Sequence, residues 1–198
     1  MHSKQGEPVR KRHRLESGTG RKAEPVRNAG DAAAGTWLAC VAMSLVRRAT
    51  PADAPEVLRL RQVMIDALPG GDTSTGWHAL ALPGLTERLG EADGDFAAFV
   101  VDRPDRPGAL AALVAGTIDY RIGKAGNPHG RCGYVFSVAT DPRARRRGYA
   151  RACMAELLAW FRERGAGQVM LTASAEAEPL YAALGFTHKP DPTMMLTL

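Results

Sequence analysis

Five arginines, Arg143, Arg145, Arg146, Arg147 and Arg151, crowd one glycine, Gly148, in the stretch VATDPRARRRGYARACMAELLAWF. An apolar run stops just before them and a helical pattern begins just after. A strand that enters a helix through such a turn presents unpaired backbone N–H groups and the positive end of the helix dipole. Phosphate suits those donors well. Gly148 lets the backbone approach closely, and small Ala150 keeps the helix entrance open. The arginines add charge and bidentate donors for phosphate oxygens. Local physics therefore predicts a phosphate or pyrophosphate site.

Rival readings weigh less. The fingerprints GxGxxG and GxxxxGK[ST] are absent from this turn, which argues against a dinucleotide or P-loop site. Arginine clusters also serve nucleic-acid backbones, but no aromatics are interleaved here and the cluster sits in an ordered strand–turn–helix context. Nucleic acid is not the expected partner. Cys40, Cys132 and Cys153 lie far apart and form no CxxC pair, so neither zinc nor a disulfide framework is expected, and a reducing, cytoplasmic setting fits. Cys153 falls at an apolar helical position and reads as a small core residue.

The elements that must position this turn are legible in outline. The 198 residues are 45% hydrophobic and 24% charged, enough for one domain with a proper core. No apolar run approaches the roughly 18 residues that cross a bilayer, so no membrane partner is expected. Up to Met43 there are eight Lys or Arg against four acids, so residues 1–43 supply most of the net charge of +5. That stretch has little apolar periodicity and is expected to be a disordered basic extension. TWLACVAM is too short, and its basic lead-in too long, for a secretory signal. Met43 stands directly before the first domain-like pattern, which suggests a translation start there. The domain is expected over 44–198.

LVRRAT reads as a strand. Asp53 then offers an N-cap, Pro55 a first-turn proline, and Val57, Leu60, Met64 and Ala67 a helical stripe. Residues 72–90, with Pro83-Gly84 in the middle, suggest a broken helix or two short ones. Residues 96–101 and 110–120 flank the turn RPDRPG as an antiparallel hairpin. YVFSVAT is apolar on both faces and reads as a central strand. Ala150, Cys153, Met154, Leu157, Leu158 and Phe161 form a helical series closed by Gly165. QVMLTAS is a strand, AEPLYAALGF a short helix ending at Gly185, and TMMLTL a final strand. The order is β-α-α-β-β-β-α-β-α-β.

Arg145-Arg146-Arg147-Gly148-Tyr149-Ala150 resembles the R/Q-x-x-G-x-G/A motif of the GCN5-related N-acetyltransferases. GYVFSVATDPRARRRGYARACM is similar to that family's fourth strand, pyrophosphate loop and third helix. LTASAEAEPLYAALGF is similar to its fifth strand and fourth helix, and the resemblance covers residues 44–198. It implies an α/β (α+β) fold with a mixed, mostly antiparallel sheet flanked by helices. It also implies acetyl-CoA as co-substrate, no metal, and transfer of the acetyl group directly to an amine. Backbone groups of Val138, Ala139 and Thr140 would pair with the pantetheine arm, with the Val138 N–H aimed at the thioester carbonyl. Arg145, Arg146, Arg147, Gly148, Tyr149, Ala150 and Arg151 would hold the pyrophosphate. Ser174 takes a position that often faces the cofactor, though a helix-capping role fits it equally. Tyr181 takes the place of the general acid.

The family's base is often a glutamate or a water chain, and no glutamate stands on the expected third or fourth strand. Asp119, Tyr120, His129 and Ser137 lie near strand ends, and none is assigned. In the family the acceptor is read by the first two helices, where Asp72, Trp77 and His78 lie. Small amines, aminoglycosides, amino acids and protein N-termini all remain open. Homodimers are frequent in the family. A non-catalytic acyl-CoA-binding regulatory module is the alternative, since it would keep the turn without needing Tyr181. A nucleic-acid binder acting through the basic extension is a third reading.

Overall fold

Period-2 alternation in the strands and 3.6-residue stripes in the helices must bury apolar side chains on two faces of one sheet. The computed structural model describes residues 45–190 and 194–196. Its elements are β1 (Val46–Arg48), α1 (Ala54–Asp66), α2 (Trp77–Gly90), β2 (Phe96–Asp102), β3 (Leu110–Tyr120), β4 (Arg131–Thr140), α3 (Tyr149–Glu163), β5 (Gln168–Leu171) and α4 (Glu178–Ala182). The strands lie in the order β1-β2-β3-β4-β5, antiparallel up to β4 and parallel between β4 and β5. This is the mixed, mostly antiparallel sheet flanked by helices that the resemblance implies. The basic extension lies outside the described residues. Among those described, no helix is long and apolar enough to cross a membrane.

Each face has its own core. On one, Cys153, Met154, Leu157 and Phe161 of α3 pack on Val114, Ile118 and Val135. On the other, Val57 and Leu60 of α1 and Leu89 of α2 cover Val100, Leu110, Leu113 and Ala115. Each fully buried Leu, Met or Phe stabilises the fold by about 1.5–3 kcal/mol. Cys153 is a core residue as expected, and burial pushes its thiol up to about 12. Two strand glycines make the α3 face possible. A Cβ at Gly116 would lie 2.6 Å from the Phe161 ring, and one at Gly133 would lie 2.8 Å from it. Phe161 therefore occupies a notch cut in two adjacent strands.

Three local expectations change. Residues 77–90 form one helix through Pro83, not two short ones. Pro83 removes the bond to the Ala79 carbonyl, but both residues are exposed, so water serves that carbonyl. Asp53 does not cap α1. Its carboxylate turns back to accept from the Thr50 N–H (2.7 Å) and the Thr50 hydroxyl (2.9 Å), and it also takes two bonds from Arg47. The Arg47 guanidinium holds Asp53 at a pKa of about 2 despite partial burial. The final strand expected over 193–198 falls partly outside the described residues, and its described residues 194–196 are not in a strand.

Candidate active site

The arginine turn lies where the sequence puts it, between β4 and α3. Arg146 (φ +61°) and Gly148 (φ +78°) both adopt left-handed backbone. For glycine that costs nothing, and for arginine about 1–2 kcal/mol. Gly148, left-handed and followed by the right-handed first residue of α3, curls successive N–H groups towards one point, a concavity suited to an anion. Gly148 precedes α3 without any side-chain cap. Its carbonyl accepts from Ala152 N–H at 3.0 Å, so the N–H groups of Tyr149, Ala150 and Arg151 come before the first intrahelical donor. The side chains of Arg145, Arg146, Arg147 and Arg151 are exposed, and none forms an ion pair among the described residues. Tyr149 differs from its neighbours. Its ring is buried in the α3 core, so it can offer the turn only its backbone.

Beside this turn the sheet opens. β5 pairs with β4 only from Cys132 to Val135, opposite Gln168 to Leu171. Beyond Val135 the β4 backbone has no strand on that side among the described residues. The Asp141 N–H donates to the Ala111 carbonyl across the β3 edge at 2.9 Å. By two-residue alternation Ala139 faces β3 as well, and the N–H groups of Thr140 and Val138 project into the opening. A bulge sharpens this. Between the pairs Leu113↔Ala139 and Ala115↔Phe136, β4 advances one residue more than β3. The surplus falls at Ser137, itself left-handed at φ +54°. A bulge bends its strand and re-aims the residues beyond it, here Val138 to Thr140.

Tyr181 of α4 is buried in the α3 core, against which Val138 also packs. Its placement is local in origin. Gly185 (φ +91°) ends the helix with paired bonds from Phe186 N–H to the Tyr181 carbonyl and from Gly185 N–H to the Ala182 carbonyl, both 3.0 Å. That closure folds the Phe186 ring back onto Tyr181, edge to face at 6.0 Å. Burial raises the phenol above its ordinary value. Ser174 is exposed and caps the turn before α4. Its carbonyl accepts from Ala177 and Glu178, and its hydroxyl from Ala177 N–H at 3.4 Å.

What anchors the turn, through Asp141, comes from residues outside its own stretch. Asp141, 6% exposed, accepts from Arg143 N–H (3.0 Å) and from Arg59 (3.1 Å), with Arg103 at 3.5 Å. Arg59 also grips Glu56 and the Leu110 carbonyl, and Glu56 accepts from Leu110 N–H. Burial alone would raise the Asp141 carboxyl. The Arg143 N–H and the guanidiniums of Arg103 and Arg59 outweigh it and hold the group below the usual carboxylate range. Asp-Pro at the end of an apolar strand was the available signal for Asp141. Nothing in the spacing announces Arg59 or Arg103.

Two cavities flank the sheet. The larger, about 700 Å³, lies along β5 and is walled by α4, Tyr181, Phe186 and the C-terminal half of α3. It does not include the arginine turn. The second, about 400 Å³, lies between α1, α2 and the β4 bulge, with Phe136 and Ser137 in its wall. Of the acceptor-side residues read from sequence, Trp77 lines this cavity and Asp72 and His78 do not. Asp72 accepts from Ser74 N–H at 2.9 Å and serves the turn before α2. Of the residues near strand ends, only Ser137 reaches either cavity.

The acetyltransferase (GNAT) family model matches residues 65–186. No curated protein matches. Among solved structures, a GCN5-related N-acetyltransferase from Ralstonia eutropha JMP134 is 27% identical, with a TM-score of 0.64 over 76% of this chain and 97% of that one. A predicted acetyltransferase with acetyl-CoA from Clostridium acetobutylicum is 20% identical, with a TM-score of 0.65 over 76% and 94%. Glucosamine-6-phosphate N-acetyltransferase from Arabidopsis thaliana is 16% identical, with a TM-score of 0.58 over 76% and 96%. The last two are likenesses of fold. With its arginine turn, a β4 that runs on past the end of β5 and this match across most of the folded region, the chain belongs to the GNAT acetyltransferase family.

Proposed function

We propose that the chain, acting through a domain over residues 44–198 that follows a basic extension, transfers the acetyl group of acetyl-CoA directly to a primary amine in a ternary complex. The observation that carries this is the opening between β4 and β5 beside an anion-binding backbone turn. An acyl-CoA needs both features, because its pyrophosphate wants fixed N–H donors and its pantetheine arm carries amides that can pair with a free strand edge. The acetyl-CoA described with the Clostridium structure supports the same co-substrate.

In this reading the backbone of Gly148, Tyr149, Ala150 and Arg151 binds the pyrophosphate, with Arg145, Arg146 and Arg147 adding charge. Thr140 and Ala139 align the arm, and the Val138 N–H stabilises charge that develops on the thioester oxygen. Ser174 is assigned to the cofactor side in the same reading. An uncharged amine nitrogen bonds to the acetyl carbon as the C–S bond breaks. Tyr181 donates its phenolic proton to the departing sulfur, and the proton lost from the new amide nitrogen restores the phenol through solvent. Burial suits Tyr181 to this, because a raised pKa keeps the proton in place across the neutral range.

The test is a thermal-shift titration of the full chain with acetyl-CoA, CoA and ATP. Ligand at about a hundred times its Kd adds about 2.7 kcal/mol of apparent stability, or about 5–10 °C for a domain of this size. A shift with acetyl-CoA and CoA but little with ATP is the expected result. No shift with either thioester or thiol would overturn the reading.

A further inference from the structure

We infer that the acceptor is an amine carrying a carboxylate on an apolar body, such as an α-amino acid with an aromatic or branched side chain, and that Arg61 and Arg88 bind the carboxylate. The inference rests on the acetyl-transfer reading and names the substrate class of that same site.

The cavity between α1, α2 and the β4 bulge is the one whose wall includes Ser137, the residue before Val138. An amine that attacks a thioester held at Val138 must approach from a space adjoining that residue. Its other walls are mostly apolar, with Trp77, Leu85 and Phe136 prominent. Leu80, 85% exposed, stands at the same wall with no packing role that explains it. Two arginines stand in this wall. Arg61 is half-buried and bonds the Ser137 hydroxyl. Arg88 lies on the α2 stripe that runs from Trp77 through Ala81 and Leu85. Neither forms an ion pair among the described residues, and no acidic side chain lines the cavity beside them.

Cations without acids on an apolar wall select for an anion and against a polycation. An arginine fork matches a carboxylate in two parallel bonds. Arg61 has spent one donor direction on Ser137 and keeps others. A carboxylate gripped there has its α-amine two bonds from the carboxyl carbon, beside the bulge that leads to Val138. The same cations favour the neutral form of that amine, since a like charge nearby disfavours an ammonium. That matters because no carboxylate or histidine lines the cavity to take its proton. An aminoglycoside or polyamine would bring several positive charges to this wall and be repelled.

The experiment compares kcat/KM for L-phenylalanine against 2-phenylethylamine, and L-leucine against 3-methylbutylamine, with kanamycin and D-glucosamine 6-phosphate as further acceptors. A charge-assisted bond contributes about a tenfold to hundredfold preference, so each amino acid is expected to exceed its decarboxylated partner by that factor. Arg61→Gln and Arg88→Gln are each expected to shrink the ratio about tenfold or more. Acetyl-CoA thermal shifts are recorded for every protein. Arg88 is exposed, so its variant keeps the test valid if Arg61→Gln folds poorly. Equal use of each amino acid and its amine, preference for kanamycin or glucosamine 6-phosphate, or no transfer to either amino acid despite an acetyl-CoA shift overturns the inference alone. Absence of the acetyl-CoA shift overturns the acetyl-transfer reading beneath it.

Discussion

The two faces of the sheet offer different means of recognition. On the α3 face the groups proposed to bind are backbone. They are a turn with left-handed Arg146 and Gly148, the first N–H groups of α3, and the strand edge of β4 beyond the end of β5. On the α1–α2 face the groups proposed to bind are side chains from two helices beside a bulge. Backbone donors are fixed once the chain takes its path and lose no rotamer entropy on binding. Long side chains each lose up to about 2 kcal/mol of it. The first arrangement suits a co-substrate that never changes. The second can be rewritten residue by residue, which suits an acceptor that differs among relatives.

That contrast can be broken at several points. The largest expected effect is at Tyr181, where loss of a general acid costs about a hundredfold or more in kcat. Tyr181→Phe should lower kcat by that factor and leave the acetyl-CoA Kd within about threefold. With Tyr181 as the proposed acid, the wild-type alkaline limb should fall above the ordinary tyrosine value of about 10 and be missing from the variant. An unchanged kcat would remove Tyr181 from the chemistry.

Next is the backbone claim itself. Gly148→Val puts a branched residue at φ +78° and should weaken acetyl-CoA by more than about tenfold in calorimetry. Arg147→Ala should weaken it only about threefold, and less so in high salt, because its charge is exposed and screened. If the arginine change proves the larger, the turn binds through side chains after all.

A smaller effect is expected at Asp141. Asp141→Ala removes a buried acceptor from Arg143 N–H and Arg59, and should cost about 2 kcal/mol in denaturant unfolding. Because its pKa is lowered in the fold, its stabilisation is complete above the unfolded value near 4 and is lost as pH falls below that. The variant should therefore show a shallower loss of stability on acidification. Least affected should be Cys153. Its thiol is pushed up to about 12, so native protein at pH 8 should resist alkylation there, and modification as fast as in urea would show the α3 core to be open.

Legibility in the sequence divides along the same line. Gly148 and its arginines could be read because one contiguous stretch holds both the turn and the start of the helix. Tyr181 could be read because Leu180 to Phe186 carries its own closure at Gly185. The strands from Phe96 to Thr140 were legible through alternation and the turns between them. Arg59, Arg61, Arg88 and Arg103 could not be singled out, because each acts on a residue or space supplied by a distant element. Arg61 and Ser137 are 76 positions apart. Pro83 misled because proline's cost depends on whether the freed carbonyl meets water, and only packing decides that.

Phe161 gives the cofactor side a mechanical property as well. Its ring is keyed into the gap left by Gly116 and Gly133, while the anion turn sits at the opposite end of the same helix, about 18 Å away at 1.5 Å per residue. A key at one end of a stiff rod fixes how the rod slides and rolls. The pitch and height of α3, and with them the aim of the N–H groups at its head, are thus set from the far end of the helix by two hydrogen atoms where other residues would carry a side chain.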